Sequence, residues 1–196
     1  MNKIVLASGN KGKLREFSQL FAEKNIEVIP QNEFAVPEAD ETGLSFVENA
    51  ILKARNACKH SGLPALADDS GIEVDALQGA PGIYSARFAG KGASDQDNIN
   101  KLLADLKDIP EEQRTARFQC VLVYMRHEHD PTPQIFQGSW EGKILEQPSG
   151  NEGFGYDPTF FVPEKSCTAA ELTREQKGEL SHRGKAIQEL LRHWSR

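Results

Sequence analysis

Apolar positions along the chain recur in two rhythms, and the switches between them predict the elements. Residues 3–7, Lys-Ile-Val-Leu-Ala, are a short β-prone run, followed by the small-residue loop Ser8-Gly9-Asn10-Lys11-Gly12-Lys13. Leu14, Phe17, Leu20 and Phe21 then share one face of a helix, and residues 26–29 read as a second strand. This opening has the order of an α/β unit. A second helix is bounded by Ser45 and Glu48, spaced as a capping box, and by Gly62 with Pro64 as its stop. Leu44, Val47, Ile51, Ala54 and Cys58 form its expected apolar face, and Asn49, Lys53 and Asn56 an opposite, solvated stripe. Residues 63–67 predict a buried strand ending at Asp68-Asp69-Ser70-Gly71 on the rim of a sheet. Beyond it, residues 72–77 alternate as a half-buried strand. Residues 95–106 place Ile99, Leu102, Leu103 and Leu106 on a helix face, and residues 118–125 read as a central strand. Residues 135–144 suggest two strands through a glycine bend, residues 160–162 another strand, and residues 168–180 a polar helix. A last helix opens at Ser181-His182-Arg183 and turns Ile187, Leu190, Leu191 and Trp194 to the core.

Three stretches carry candidate chemistry. Asp68 and Asp69 are adjacent, so on a strand they point to opposite faces. One can hold a metal or act as a base while the other positions a neighbour, and the carboxyl edge of an α/β sheet is where ligands bind. The plain alternative is an Asx-type turn. The loop 8–13 lets the backbone approach a phosphate, and its lysines and helix-start N–H groups supply positive charge. It is not the P-loop pattern, and a simple strand-to-helix turn reads equally from it. In Gly150 to Pro158, Phe154 stands between two glycines, a placement suited to stacking on a planar ring. His127-Glu128-His129-Asp130 invites a metal reading, but Pro131 and Pro133 mark it as an exposed hairpin tip.

Composition narrows the class. The 196 residues suffice for one domain, or two small lobes, with a sizeable core. No stretch is long and apolar enough for a transmembrane helix, and the first apolar run is too short for a signal peptide. Cys58, Cys120 and Cys167 have neither metal-ligand spacing nor an even count, which points to the reducing cytoplasm. A net charge of −6 argues against nucleic acid or an anionic membrane as a partner. A small anionic ligand in a locally basic pocket remains compatible with it.

Taken in order, Ser8-Gly9-Asn10-Lys11-Gly12-Lys13, Asp68-Asp69-Ser70-Gly71, Phe154-Gly155-Tyr156-Asp157 and Ser181-His182-Arg183 resemble the inosine triphosphate pyrophosphatase family. Residues 46–50 and 79–87 also look like that family, and the resemblance runs from Ile4 to the last helix as a single domain over 1–196. It is nearest to bacterial members acting on dITP, ITP and XTP. The resemblance implies an α/β, two-lobed fold around a long curved mixed β-sheet with flanking helices and an active-site cleft between the lobes. It implies hydrolysis of a nucleoside triphosphate to monophosphate and pyrophosphate with Mg2+, by a homodimer. Carried over residue by residue, Ser8, Asn10 and Lys13, within the loop that also includes Gly9, Lys11 and Gly12, would hold the triphosphate. Glu41 and Asp69 would bind magnesium, with Asp40 competing for the first place, and Asp69 would also be the base. Asp68 and Lys53 would support metal and phosphates, and Ser70 would contact substrate. Phe154 would stack on the purine within the loop completed by Gly155, Tyr156 and Asp157, and Lys177, His182 and Arg183 would close around the base. Two other readings are a pyrophosphatase of modified pyrimidines and 7-methyl-GTP, and a nucleotide-binding module without turnover. The first would lack the Phe-Gly-Tyr-Asp loop and the Ser-His-Arg motif, and the second would be favoured by loss of the Asp68, Asp69 or Glu41 carboxylates.

Overall fold

The structure, a computed structural model, describes residues 2–22 and 24–194. The side chains of Lys11 and Trp194 lie outside the described residues, and with them the expected places of both. The elements run β1 (Asn2–Leu6), α1 (Lys11–Ala22), β2 (Ile26–Pro30), α2 (Phe46–Ser61), β3 (Ala65–Val74), α3 (Asp95–Asp105), β4 (Thr115–Met125), β5 (Gln134–Ile144), β6 (Phe160–Val162), β7 (Cys167–Thr168), α4 (Arg174–Leu180) and α5 (His182–Trp194). Short 3-10 turns join them. The strands form one seven-stranded sheet in the order β2-β1-β3-β4-β5-β6-β7. It is mixed: β1 pairs parallel with β2 and β3, whereas β6 pairs antiparallel with β5 and β7. An α/β fold with a mixed sheet and flanking helices is thus what the chain adopts.

By contacts the chain divides into two compact units. The first holds residues up to Asp69, Val121–Gln137 and the chain from Ala186; the second holds Ser70–Cys120 and Gly138–Lys185. In the first, alternate residues of the parallel strands face α2. Val5, Ala7, Ala65 and Ala67 pack with Ala50, Ala54, Ala57 and Cys58, joined by Val121, Val123 and Met125. Small residues on both sides let the helix lie close on the sheet. On α1, Phe17 and Phe21 are fully buried, each contributing about 1.5–3 kcal/mol by burial. The second unit is built on Ile72, Val74, Ile99, Leu102, Leu106, Phe118, Trp140, Tyr156 and Phe160.

Several elements depart from the periodicity reading, each for a local reason. β3 does not stop at Asp68-Asp69 but runs on through Ser70 and Gly71 to Val74, absorbing the first half of the strand expected at 72–77, while residues 75–77 form a 3-10 turn. What stops is its neighbour: the ladder with β1 ends at Leu6 and Leu66, so the aspartates stand just beyond the carboxyl end of β1. On α2, Leu44 precedes the helix and is 84% exposed, whereas Asn49 of the supposed solvated stripe is fully buried. Ser45 caps the helix as expected, accepting from the Glu48 N–H, and Gly62 closes it. The polar helix starts only at Arg174, because Thr173 and Gln176 form the capping box there, while β7 and a short turn occupy 167–171.

Residues 134–144 form one strand, with Gly142 inside it rather than at a bend. The glycine is required by close approach: a Cβ there would lie 2.5 Å from the Phe161 carbonyl oxygen and 2.6 Å from Phe160 Cζ. Neither a paired strand backbone nor a fully buried ring can give way. Gly142→Ala is therefore expected to destabilise the protein by about 1–3 kcal/mol through overpacking. A urea midpoint equal to that of the parent protein would show that the strand pair accommodates the methyl group.

Candidate functional site

The sequence-predicted residues gather in two clusters, one in each unit. The first begins where β1 ends. The chain order reverses across β1, because β2 lies on one side and β3 on the other, both parallel to it. In open α/β sheets such a switch point, beyond the carboxyl end of a strand, is where ligands bind; here that is the end of β1, beside β3. The loop after β1 enters α1 here. Asn10 caps that helix: its Oδ1 accepts from the N–H of Gly12 at 2.8 Å and of Lys13 at 3.0 Å. Ser8 Oγ accepts from the Asn10 N–H at 3.1 Å. Gly9 and Gly12 are exposed, leaving the loop backbone open to solvent. The carboxamide oxygen of Asn10 sits on the two amides to which an anion's oxygen would bind.

Strand alternation separates the two aspartates as required. Asp68 leaves the sheet on the α1 side, where its fully buried carboxylate accepts from Lys13 Nζ at 2.7 Å. Asp69 follows Ala65 and Ala67 onto the α2 side, where Lys53 Nζ donates to it at 2.5 Å. The same ammonium lies 3.6 Å from Glu41. Burial pushes the Asp69 carboxyl above the usual carboxylate range; the Lys53 charge and hydrogen bond oppose this, and Glu41 and Asp68 add to it. Asp40, the competing candidate, is exposed and has no hydrogen bond or ion pair to this cluster.

The cluster's chemistry fits a small, hard cation. Glu41 and Asp69 supply carboxylate oxygens, and the Lys53 ammonium already stands between them as a single positive charge. No group of three or more His, Cys, Asp or Glu converges among the described residues. A pair of carboxylates is what an ion of the magnesium type takes, filling the rest of its shell with phosphate oxygens and water.

The second cluster is built on the loop after β5. The Phe154 ring is 61% exposed, a large apolar surface left in solvent. Its backbone is fixed, however: the Phe154 N–H donates to Asp157 Oδ2 at 2.8 Å, and the Gly155 N–H to Asp95 Oδ2 at 2.7 Å. Asp157 is buried and accepts a short hydrogen bond from the Lys177 ammonium. Lys177 Nζ also lies 4.8 Å from the Phe154 ring centroid, and the Arg183 guanidinium 5.8 Å from it. Tyr156 is buried in the core, its hydroxyl donating to the Ser85 carbonyl at 2.7 Å, and burial raises its pKa. It anchors the loop rather than presenting a ring to solvent. His182 is also buried, stacked on Phe118 at 4.8 Å and 14°. That packing explains a histidine in the first turn of α5, where a cation is disfavoured. Ser70, half-buried, follows Asp69 on β3.

Sequence reasoning missed Asn49, Gly43, Asp95 and Ser85. For Asn49 a signal existed, since it stands one helical turn before Lys53 and so on the same face. Asp95 and Ser85 act on the loop from far away in sequence, and no local pattern marks them.

The profile of the Ham1 family matches residues 4–193. Among curated proteins, the dITP/XTP pyrophosphatase of Photobacterium profundum is 62% identical over 190 residues, covering 97% of this chain and 96% of that protein. The dITP/XTP pyrophosphatase of Vibrio cholerae is 60% identical over 192 residues, covering 98% and 96%. Among solved structures, a HAM1 protein from Coxiella burnetii superposes with a TM-score of 0.96 at 50% identity, covering 100% of this chain and 99% of that one. A dITP/XTP pyrophosphatase from Mycobacterium abscessus gives 0.81 at 44% identity, covering 96% and 98%.

Proposed function

The chain belongs to the Ham1 family, and on that premise we propose that it hydrolyses non-canonical purine nucleoside triphosphates (dITP, ITP and XTP) to the nucleoside monophosphate and pyrophosphate. The reading extends to magnesium as the metal, a homodimer as the working form and the cytoplasm as the compartment. Three free cysteines support the last of these. The observation that carries the chemistry is the Glu41–Lys53–Asp69 arrangement, with Asp69 on β3 just beyond the carboxyl end of β1.

Water adds to the α-phosphorus, the bond to the α,β-bridging oxygen breaks, and pyrophosphate leaves with that oxygen. Asp69 takes the proton of the water. Its raised pKa suits that task better than an ordinary surface aspartate would. Glu41 and Asp69 would hold the magnesium, which when bound neutralises phosphate charge and polarises the phosphoryl group. Lys53, beside both carboxylates, would offset charge on the phosphates. Lys13 offsets charge on the leaving group, held in place by the buried Asp68. Buried ion pairs add little net stability, so the pair serves to position Lys13. Ser8, Asn10 and the loop amides complete the phosphate contacts.

Phe154 takes the purine ring by stacking. Lys177 and Arg183 carry donors only, so beside the base they favour the 6-oxo acceptor of hypoxanthine or xanthine over the 6-amino donor of adenine. A buried mispaired donor can be worth several powers of ten in discrimination. Assays of dITP, XTP, dATP and dGTP in H2 18O, with and without magnesium, test the whole scheme. The expected products are pyrophosphate and an 18O-labelled monophosphate from dITP and XTP only, dependent on the metal. Orthophosphate with a nucleoside diphosphate would move the attack to the terminal phosphorus and overturn the assignment.

A further inference from the structure

The α2 stripe Asn49, Lys53 and Asn56 is fully used. A single irregular segment, residues 37–43, lies along it, turned at Glu41 where the Thr42 N–H donates to the Asp40 carbonyl at 3.0 Å. Asn56 Nδ2 donates to the Pro37 carbonyl at 2.7 Å, Lys53 Nζ lies 3.6 Å from Glu41, and Asn49 Oδ1 accepts from the Gly43 N–H at 2.9 Å. Spacings of four and three residues put the three side chains in one row on the helix. The segment thus runs past them in the opposite direction, with Glu41 held between two asparagine contacts.

The Asn49 contact is the most constrained of the three. The side chain is fully buried. A Cβ on Gly43 would lie 2.5 Å from Glu48 Cβ and 2.8 Å from Asn49 Oδ1, so only glycine lets the backbone come this close. One residue further on, the Leu44 N–H donates to Glu48 Oε2 at 2.9 Å, extending the clamp into the first turn of α2. Asn49 Nδ2, by contrast, is buried with no acceptor among the described residues. A buried unpaired donor is destabilising and uncommon in native structures. An apolar residue of similar size would avoid it, so what the carboxamide offers is the Oδ1 contact to Gly43.

We propose that Asn49 is a positioning residue for metal binding: through the Gly43 N–H it fixes the register of the 37–43 segment on α2 and so sets the Glu41 carboxylate beside Lys53 and Asp69. This rests on the reading of Glu41 as a metal ligand given above. Asn49 touches neither Glu41 nor Asp69 and acts only through the backbone between residues 41 and 43.

The test uses the full-length protein and Mn2+ as probe, its binding in the absence of nucleotide followed by the EPR signal of the free ion. Asn49→Ala is expected to weaken Mn2+ binding by about tenfold, as for other residues that orient a metal ligand. It is also expected to abolish slow hydrogen exchange at the Gly43 amide. Gly43→Ala, which pushes on the same contact from the opposite side, is expected to do the same and serves if Asn49→Ala fails to fold. In the Glu41→Gln background, Asn49→Ala is expected to add nothing. Glu41→Gln without effect on Mn2+ would overturn the ligand assignment beneath the proposal. A large effect of Glu41→Gln with none from Asn49→Ala or Gly43→Ala, or full additivity of the double variant, would overturn the proposal itself.

Discussion

Asp69→Asn is expected to reduce pyrophosphate release by roughly a thousandfold or more, since it removes a general base, worth about 10^2–10^4 alone, together with an anionic metal ligand. The fold is expected to survive. Burial raises the Asp69 pKa in the native protein, so the native state holds that proton more tightly than the unfolded chain. Between the ordinary value of 3.8 and the raised native value, stability therefore falls as pH rises. At neutral pH the charged Asp69 is a cost to the fold that asparagine removes, and Lys53 retains Glu41 as a partner. A melting temperature at or above that of the parent, with turnover lost, is the expected pair of results. Normal turnover would end the assignment of Asp69 as the base.

The same balance gives a pH signature. In the metal-free protein, the Asp69 carboxyl titration followed by NMR is expected to have its limb above the usual carboxylate range, because burial is the largest influence on Asp69. Lys53→Ala removes the charge and hydrogen bond that oppose burial, so the limb moves to higher pH. Glu41→Gln removes a like charge and moves it lower. Shifts in the opposite directions would show that another group sets the limb.

Phe154→Ala is expected to weaken nucleotide binding by about 1–3 kcal/mol, or roughly 5- to 150-fold, as for other base–aromatic stacks. The ring is mostly exposed, so its loss removes little packing. The loop is held by backbone donors at 154 and 155, which alanine retains. Titration of dITP into the protein already carrying Asp69→Asn measures affinity without turnover. An unchanged dissociation constant would make Phe154 a structural residue of the loop.

How far these features were legible beforehand depended on whether the cause was local. Helix periodicity and the Ser45 cap placed α2, and alternation along a strand separated Asp68 from Asp69, because both follow from covalent geometry. The single strand over 134–144 was read as two through a glycine bend because glycine is locally a turn signal, whereas Gly142 answers to Phe160 and Phe161, eighteen and nineteen residues on. Asn49 was assigned to solvent for a similar reason: the segment that covers it comes from outside the helix, and no helical period encodes a neighbour. Tyr156 and His182, grouped with the substrate by resemblance, are held by Ser85 and Phe118, which only the folded chain brings to them.

The division of the chain into units also bears on how the molecule is made. The first unit is assembled from three separate stretches, and β3, β4 and β5 each begin in one unit and finish in the other. The core under α2 is incomplete until Val121, Val123 and Met125 arrive, and the buried Ala186, Ile187 and Leu190 of the same unit come only with the last helix. No single cut in the chain frees either unit, so neither can be expressed as one contiguous fragment. On the ribosome, the amino-terminal third emerges long before its packing partners and must wait for them. Contacts of such long sequence separation slow folding. The proposed catalytic carboxylates, all within the first 69 residues, are therefore made before the later strands and helix that complete their unit.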